Sequence, residues 1–216
     1  MKTIQNFNKY PQELLQLLLI LQPFSSNIYL VGGCVRDILL NKTPKDFDLV
    51  CDIDLDLISQ ELQSNGWKIN EAGKQFLVMI ATKNNHQLEI ANFRNDGNYS
   101  DGRRPDSVSI ATIEEDFLRR DFTINAMYYN PLTNVFLDPS AKGLLDLQNK
   151  IVRFNGKPEQ RVKEDKIRIL RAYRFAKQLS FEIENKSLKA CRTYFNEMCT
   201  QIAPERIRLE IEKICL

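Results

Sequence analysis

Apolar and polar positions follow two different periods along this chain, and the change of period divides it. The leucines between Leu14 and Leu21 recur at helical spacing, so residues 11–21 predict a helix with a broad apolar face. Residues 28–31 are a short apolar run typical of a buried strand, and 33–40 read as the helix that follows. A second strand is predicted over 47–51, then a helix over 55–64 that closes near Gly66. Residues 75–81 and 86–93 alternate with period two around Lys83-Asn84-Asn85, which predicts a hairpin. Residues 95–106 are rich in glycine, proline and charge and predict a mobile loop. From Ile113 the helical period dominates, with strand-like pieces at 127–129 and 151–154. The longest helix is predicted over 158–178, followed by helices over 185–199 and 204–216, with Pro204 suited to a first helical position. The expected fold class is therefore α/β followed by all-α: a mixed unit over 1–155 and a helical unit over 156–216, divided near Asn155-Gly156.

Composition narrows the class. The chain has 216 residues, 43% hydrophobic and 27% charged, the make-up of an ordinary globular protein of one large or two small domains. No apolar run approaches the roughly 20 residues of a membrane span, and the N-terminus carries no signal for secretion. Cys34, Cys51, Cys191, Cys199 and Cys215 are scattered with no CxxC pair, and His86 is the single histidine. A zinc site is thereby disfavoured, and reduced, mostly buried thiols in a cytoplasmic protein are expected. The net charge of +2 conceals an asymmetry: residues 150–216 carry 16 Lys and Arg against 9 Asp and Glu, residues 1–149 carry 14 against 19. Such a basic half beside an acidic one suits a phosphate-rich partner.

Candidate chemistry concentrates in a few motifs. Val31-Gly32-Gly33-Cys34-Val35-Arg36-Asp37 places a double glycine at a helix start, where backbone N–H groups face phosphate oxygens. In Lys45-Asp46-Phe47-Asp48-Leu49-Val50, Asp46 and Asp48 leave the same face of a strand, roughly 7 Å apart. Mg²⁺ is held by one or two such carboxylates together with substrate phosphates. Asp52, Asp54 and Asp56 imitate a calcium loop, but Leu57 and Gln63 stand where it needs Gly and Glu, so Asp54 or Asp56 is expected to cap the next helix. Glu89 points away from Leu88 and Ile90, as a third carboxylate or as an exposed charge on a two-faced strand. Arg119-Arg120-Asp121 offers a planar fork and a carboxylate to phosphate and ribose, or forms a capping cluster. On the predicted helix over 158–178, Val162, Ile169, Tyr173 and Ala176 form an apolar stripe beside Arg161, Asp165 and Arg168. Asp165 with Arg168 is either a set of acceptors and donors for the edge of a base or an intrahelical ion pair, and Arg171 and Arg174 continue the basic row.

Taken together, LVGGCVRD, KDFDLV, LEIANFR, DGRRPDSV, EEDFLRRDFTINAM, LLDLQNKIVRF and EDKIRILRAYRF resemble, in content and order, the class II tRNA nucleotidyltransferases. This family comprises the CCA-adding enzymes and their bacterial poly(A) polymerase relatives, within the DNA polymerase beta superfamily. The resemblance covers nearly the whole chain and implies a polymerase-beta-like head over 1–155 and a helical neck over 156–216, without the family's body and tail. It implies that Asp46 and Asp48 hold two Mg²⁺ ions (or Mn²⁺), with Glu89 as a further acid. It also implies that Gly32, Gly33, Arg36, Arg120, Asp121, Asn125, Asp165, Arg168, Arg171 and Arg174 bind the nucleotide. Asp165 and Arg168 would select its base, and Arg120 and Asp121 would meet its ribose. Residues 138–146 resemble the family's springy segment, one residue longer and with one glycine in place of a pair. The implied activity is addition of C and A to a tRNA 3′ end from CTP and ATP without a nucleic-acid template. A CC-adding, A-adding or poly(A)-adding specialist, a small-molecule nucleotidyltransferase and a non-catalytic RNA-binding module stand beside it. The basic neck, or a second copy of the chain as a homodimer, would hold the tRNA.

Overall fold

In the computed structural model, residues 10–97, 99 and 105–215 are described. The first part builds a seven-stranded mixed sheet. Helix α1 (Gln12–Leu21) leads to β1 (Ile28–Val31), α2 (Gly33–Leu39), β2 (Asp48–Cys51), α3 (Leu55–Ser64) and β3 (Lys68–Asn70). Next come β4 (Val78–Lys83), β5 (His86–Asn92) and the separate two-stranded ribbon β6 (Arg94–Asp96) with β7 (Val108–Ile110). Helix α4 (Ile113–Arg119) precedes β8 (Tyr128–Asn130) and β9 (Val135–Leu137). The sheet order is β3-β4-β5-β2-β1-β8-β9, with β2 and β5 parallel at its centre.

Alternation along the central strands explains its two faces. Ile28, Leu30, Leu49, Cys51, Leu88 and Ile90 join the large core with α1, α2 and α3. Tyr29, Val31, Val50, Phe93 and Tyr128 fill a smaller core under α4 on the other face. The β4–β5 hairpin turns at Asn84 and Asn85, both at positive φ (48° and 66°), a conformation that Asn tolerates and a tight hairpin requires. Asp54 caps α3 by accepting from the N–H groups of Asp56 and Leu57.

The remaining elements are α5 (Gly143–Gln148), β10 (Ile151–Val152), α6 (Pro158–Glu164), α7 (Arg168–Leu179), β11 (Glu182–Ile183), α8 (Asn185–Thr193), α9 (Phe195–Gln201) and α10 (Pro204–Cys215). Several expectations change here. The helix predicted over 158–178 is two helices, because Asp165 turns extended (φ −147°, ψ 106°) and its carboxylate accepts from the Ile167 N–H at 3.1 Å. Asp bonds nearby backbone more readily than it sustains a helix. The helix over 185–199 also breaks, at Tyr194. Nor is the second part all-helical: β11 pairs in parallel with β10 and ties α7 and α8 back to the first part. Within the predicted loop over 95–106, Asn95 and Asp96 lie in β6, while residues 98 and 100–104 are outside the described residues. The missed strands β3, β6, β7, β9 and β11 are two or three residues long, too short to show a period.

One apolar cluster runs from Leu14 through Phe122 and Phe154 to Ile169, Cys191 and Ile202, so both parts share a core. Phe122 stacks on Phe154 (5.0 Å) and meets Phe175 of α7 edge-on (5.4 Å). Cys34, Cys51 and Cys191 are buried free thiols, whereas Cys199 and Cys215 are exposed. Among the described residues no helix is long and apolar enough to cross a membrane.

Candidate active site

A cavity of about 600 Å³ opens between one end of the central strands β1 and β2 and the helices that follow the sheet. Its lining includes Gly32, Gly33, Arg36, Asp46, Asp48, Arg120, Asp121, Asn125, Asp165, Arg168, Arg171 and Arg174. Every residue that the family resemblance assigned to the site therefore lines one space except Glu89.

The turn between β1 and α2 forms one wall. Gly32 has φ +79°, where an L side chain is strained, and it lets the chain pass from the strand directly into the helix. One turn into α2, Arg36 is buried and held from three directions. Its Nη1 donates to Asn125 Oδ1 (2.8 Å), its Nε donates to Asp37 Oδ1 (2.9 Å), and its guanidinium lies 5.3 Å from the centre of the Phe175 ring. Its Nη2 also pairs with Asp37 (2.8 Å), and the guanidinium so held lines the cavity, an arrangement suited to phosphate oxygens.

Opposite stands the carboxylate edge. Asp48 opens β2 and is half-buried, Asp46 is exposed, and Glu89 is the residue directly opposite Asp48 in the parallel ladder. The expected face for Glu89 holds, but its exposed side chain lies outside the cavity lining. Burial, then the charge of Glu89, push the Asp48 carboxyl up to about 6, against the pull of Arg120. Among the described residues no side chain hydrogen-bonds or ion-pairs with the Asp46 or Asp48 carboxylate, and no group of three or more His, Cys, Asp or Glu side chains could hold a metal ion. Two crowded carboxylates with open lone pairs make an incomplete oxygen donor set. Such a set fits a hard divalent cation whose other ligands are phosphate and water.

The third wall is a lattice of ion pairs. Asp116, fully buried on α4, accepts from Arg120 Nη2 (2.7 Å), Arg119 Nε (2.8 Å) and the Tyr128 hydroxyl (2.8 Å). Burial opposes its charge, but Arg120 and Arg119 outweigh burial and hold the carboxyl below the usual carboxylate range. Asp121 accepts from its neighbour Phe122 N–H (2.9 Å) and pairs with Arg171 (2.5 Å). Burial likewise disfavours its charge, and Arg171 and Arg168 reverse that. The capping cluster considered for Arg119-Arg120-Asp121 is thus formed in part: Asp116 of the same helix holds Arg119 and Arg120 at the α4 C-terminus, whereas Asp121 is held by Arg171 of α7.

At the α6–α7 break, Asp165 and Arg168 do not pair with each other. Arg168 Nη1 donates to Glu164 Oε2 (2.6 Å) and to the Arg161 carbonyl (2.8 Å), and its guanidinium sits 5.9 Å from the Tyr99 ring centre. Asp165 pairs with Arg206 of α10 (3.2 Å). The intrahelical ion pair considered from the sequence is therefore not formed. Arg174 pairs with Glu210 of α10 (3.3 Å) and covers the Phe175 ring.

Sequence reasoning missed Asp116, Tyr99, Asp96, Phe175 and Arg206. Asp116 was within reach, since its spacing of three and four from Arg119 and Arg120 is the helical ion-pair spacing. Arg206 left no such signal, lying 41 residues from its partner. Residues 138–146 are a turn that runs into the start of α5: Asp138 Oδ2 accepts from the Leu144 N–H (3.0 Å), and Asp146 is anchored by Arg153 (2.9 Å) and Thr123 (2.7 Å). A Cβ at Gly143 would come within 2.7 Å of Met127 and of the Thr123 carbonyl, so only glycine fits there.

Comparison with known proteins gives a consistent picture. A profile of the poly A polymerase head domain matches residues 28–153. The CCA-adding enzyme of Pediococcus pentosaceus is 37% identical over 210 residues, covering 95% of this chain and 51% of that protein. The crystal structure of the Bacillus stearothermophilus CCA-adding enzyme in complex with CTP superposes with a TM-score of 0.81 at 28% identity, covering 94% of this chain and 48% of that one. A tRNA nucleotidyltransferase complexed with a primer tRNA and an incoming ATP analog superposes at 0.76 and 30% identity, covering 91% and 55%. The chain thus spans about half the length of the curated relatives it matches.

Proposed function

The chain belongs to the poly A polymerase head domain family, and from that premise we propose that it is a nucleotidyltransferase adding the C and A residues of the 3′-terminal CCA to tRNA, in the cytoplasm, from CTP and ATP. One observation carries the proposal: the carboxylate pair, the Arg36 grip and the Asp165/Arg168 element line a single 600 Å³ cavity. That cavity contains what templated-free transfer needs: a place for metal-bound phosphates, and donors and acceptors for a base. The activities and partners of the relatives support the reading.

In this reading residues 1–155 are the catalytic head and 156–216 the neck. Arg36, fixed by Asn125 and Asp37, grips the triphosphate beside the Gly32-Gly33 turn. Arg120, fixed by Asp116, and Asp121, fixed by Arg171, meet the ribose hydroxyls. Asp165 accepts from the amino group shared by cytosine and adenine, and Arg168 donates to the ring. Uracil and guanine offer an oxygen at the corresponding edge and would leave buried partners unpaired, which costs ~1–3 kcal/mol each. Asp46 and Asp48 would hold Mg²⁺, with Glu89 directly opposite Asp48 in the strand ladder. When bound, such an ion would supply Lewis acidity toward the phosphates and the attacking 3′-hydroxyl. The hydroxyl then displaces pyrophosphate in line. Beside the site, a second cavity of about 820 Å³ shares Asp96, Tyr99 and Arg119 and carries Lys157 and Lys163, a route suited to the acceptor strand.

The test is extension of tRNA transcripts ending before CCA, after C and after CC, with Mg²⁺ and CTP, ATP or both, read at single-nucleotide resolution. Addition that stops at CCA is expected. Extension of one transcript only would replace the reading with a CC- or A-adding specialist, long A tails with a poly(A) polymerase, and no extension with a binding module.

A further inference from the structure

The geometry points to Arg206 as a positioning residue for base choice: from the last helix it holds both oxygens of the Asp165 carboxylate as an oriented acceptor for the amino group of cytosine or adenine. The inference rests on the nucleotide reading of the cavity given above.

Asp165 sits at the break between α6 and α7, where the backbone constrains it through one local bond, from the Ile167 N–H to Oδ1. What fixes both oxygens is Arg206 Nη2, 3.3 Å from Oδ1 and 3.2 Å from Oδ2. The contact is well covered, with side-chain exposures of 22% for Arg206 and 14% for Asp165. It is also registered: one helical turn on, Glu210 of α10 pairs with Arg174 of α7. A positive and then a negative charge on α10 thus meet a carboxylate and then a guanidinium across the interface. Sliding α10 by a turn would bring like charges together.

Charge state matters as much as orientation. Burial drives Asp165 toward its neutral form, and among the charges that face it, Arg206, Arg168 and Arg171, the first exerts the strongest opposing pull. An ionised carboxylate only accepts, whereas a protonated one also donates. Donation would serve the oxygen of uracil or guanine. Without Arg206 the carboxyl keeps only the Ile167 bond to one oxygen and loses the strongest pull toward its ionised form, so discrimination against UTP and GTP should fall while the phosphate grip at Arg36 is untouched.

The experiment is equilibrium binding of CTP, ATP, UTP, GTP and inorganic tripolyphosphate to the whole chain with Mg²⁺, for the wild type, Arg206→Ala, Arg206→Lys, Asp165→Asn and the Arg206→Ala/Asp165→Asn pair. Wild type should prefer CTP and ATP. Arg206→Ala should lose roughly tenfold of that preference, the scale of one charge-assisted hydrogen bond, with tripolyphosphate binding unchanged. Arg206→Lys should restore most of it, and Arg206→Ala should add nothing to Asp165→Asn. Retained preference in Arg206→Ala, or equal weakening of all five ligands, overturns the inference and leaves Arg206 a purely structural tie. Should Arg206→Ala fail to fold, Arg206→Lys is compared with Arg206→Gln, and only the former should keep the preference. A wild type with no base preference defeats the inference together with the base-reading role of Asp165. A preference without tRNA extension defeats the reaction alone.

Discussion

The two sides of the cavity are built on opposite principles. On the carboxylate side, Asp48 and Glu89 face each other in one parallel strand pair, where register alone sets their position, and Asp46 lies in the bend just before β2. Like charges are crowded there, and no protein group among those described satisfies Asp46 or Asp48. On the helical side, Arg36, Arg120, Asp121, Arg168 and Arg171 each have a partner of opposite charge or a hydrogen-bonding amide already in place. The first side is an electrostatic debt that a cation would settle; the second is preorganised and needs no reorganisation when a nucleotide arrives. Like-charge crowding makes a cluster dispensable to the fold, whereas buried opposite charges make one indispensable.

The largest expected effect follows from the first side. Asp48→Ala should lower nucleotide transfer by about 10³-fold or more, since metal-assisted stabilisation of transition-state charge is worth several kcal/mol. Its unfolding midpoint should stay level or rise, because burial and Glu89 already disfavour the Asp48 charge. Single-turnover kinetics with thermal unfolding reads both, and a large loss of stability would erase the contrast.

Asp116→Asn should do the reverse, costing about 3–5 kcal/mol by leaving Arg119 and Arg120 without their buried counter-charge. The acid limb gives the sign. The Asp116 carboxyl is held below its ordinary 3.8, so its stabilisation is complete above that value and is lost as pH falls through the lower folded value. Chemical denaturation across that range should show a weaker acid dependence in the variant.

Arg168→Ala sharpens the comparison within the helical side. It should reduce preference for CTP and ATP over UTP and GTP by about 1–3 kcal/mol, and reduce tripolyphosphate affinity less. An unchanged nucleotide profile would remove Arg168 from base reading. Asp54→Ala, which uncaps α3 away from both sides, should cost only about 1 kcal/mol and leave nucleotide selectivity unchanged.

Legibility in the sequence follows the same division. The β1–α2 glycine turn and the capping role of Asp54 were readable because each is a relation between residues a few positions apart; Asp46 and Asp48 were readable as neighbours, but Asp46 lies in a bend before β2 rather than on the strand expected to carry both. Glu89 was readable as to face, but its place opposite Asp48 depends on which strands pair. The helix over 158–178 was misread because Asp165 bonds the Ile167 N–H and ends α6, a choice that the apolar stripe through Val162 and Ile169 does not reveal.

By itself the sequence determined the order of the main strands and helices, the open carboxylate pair, and the set of arginines available for phosphate. Those depend on local period, turn chemistry and charge. Only the tertiary structure decided which charge each arginine answers: Asp121 to Arg171, Asp165 to Arg206 and Arg174 to Glu210 are pairs between elements far apart in the chain. The physical reason is that an ion pair acquires its partner and its strength from burial, and burial is settled only when β10 pairs with β11 and α10 packs onto α7.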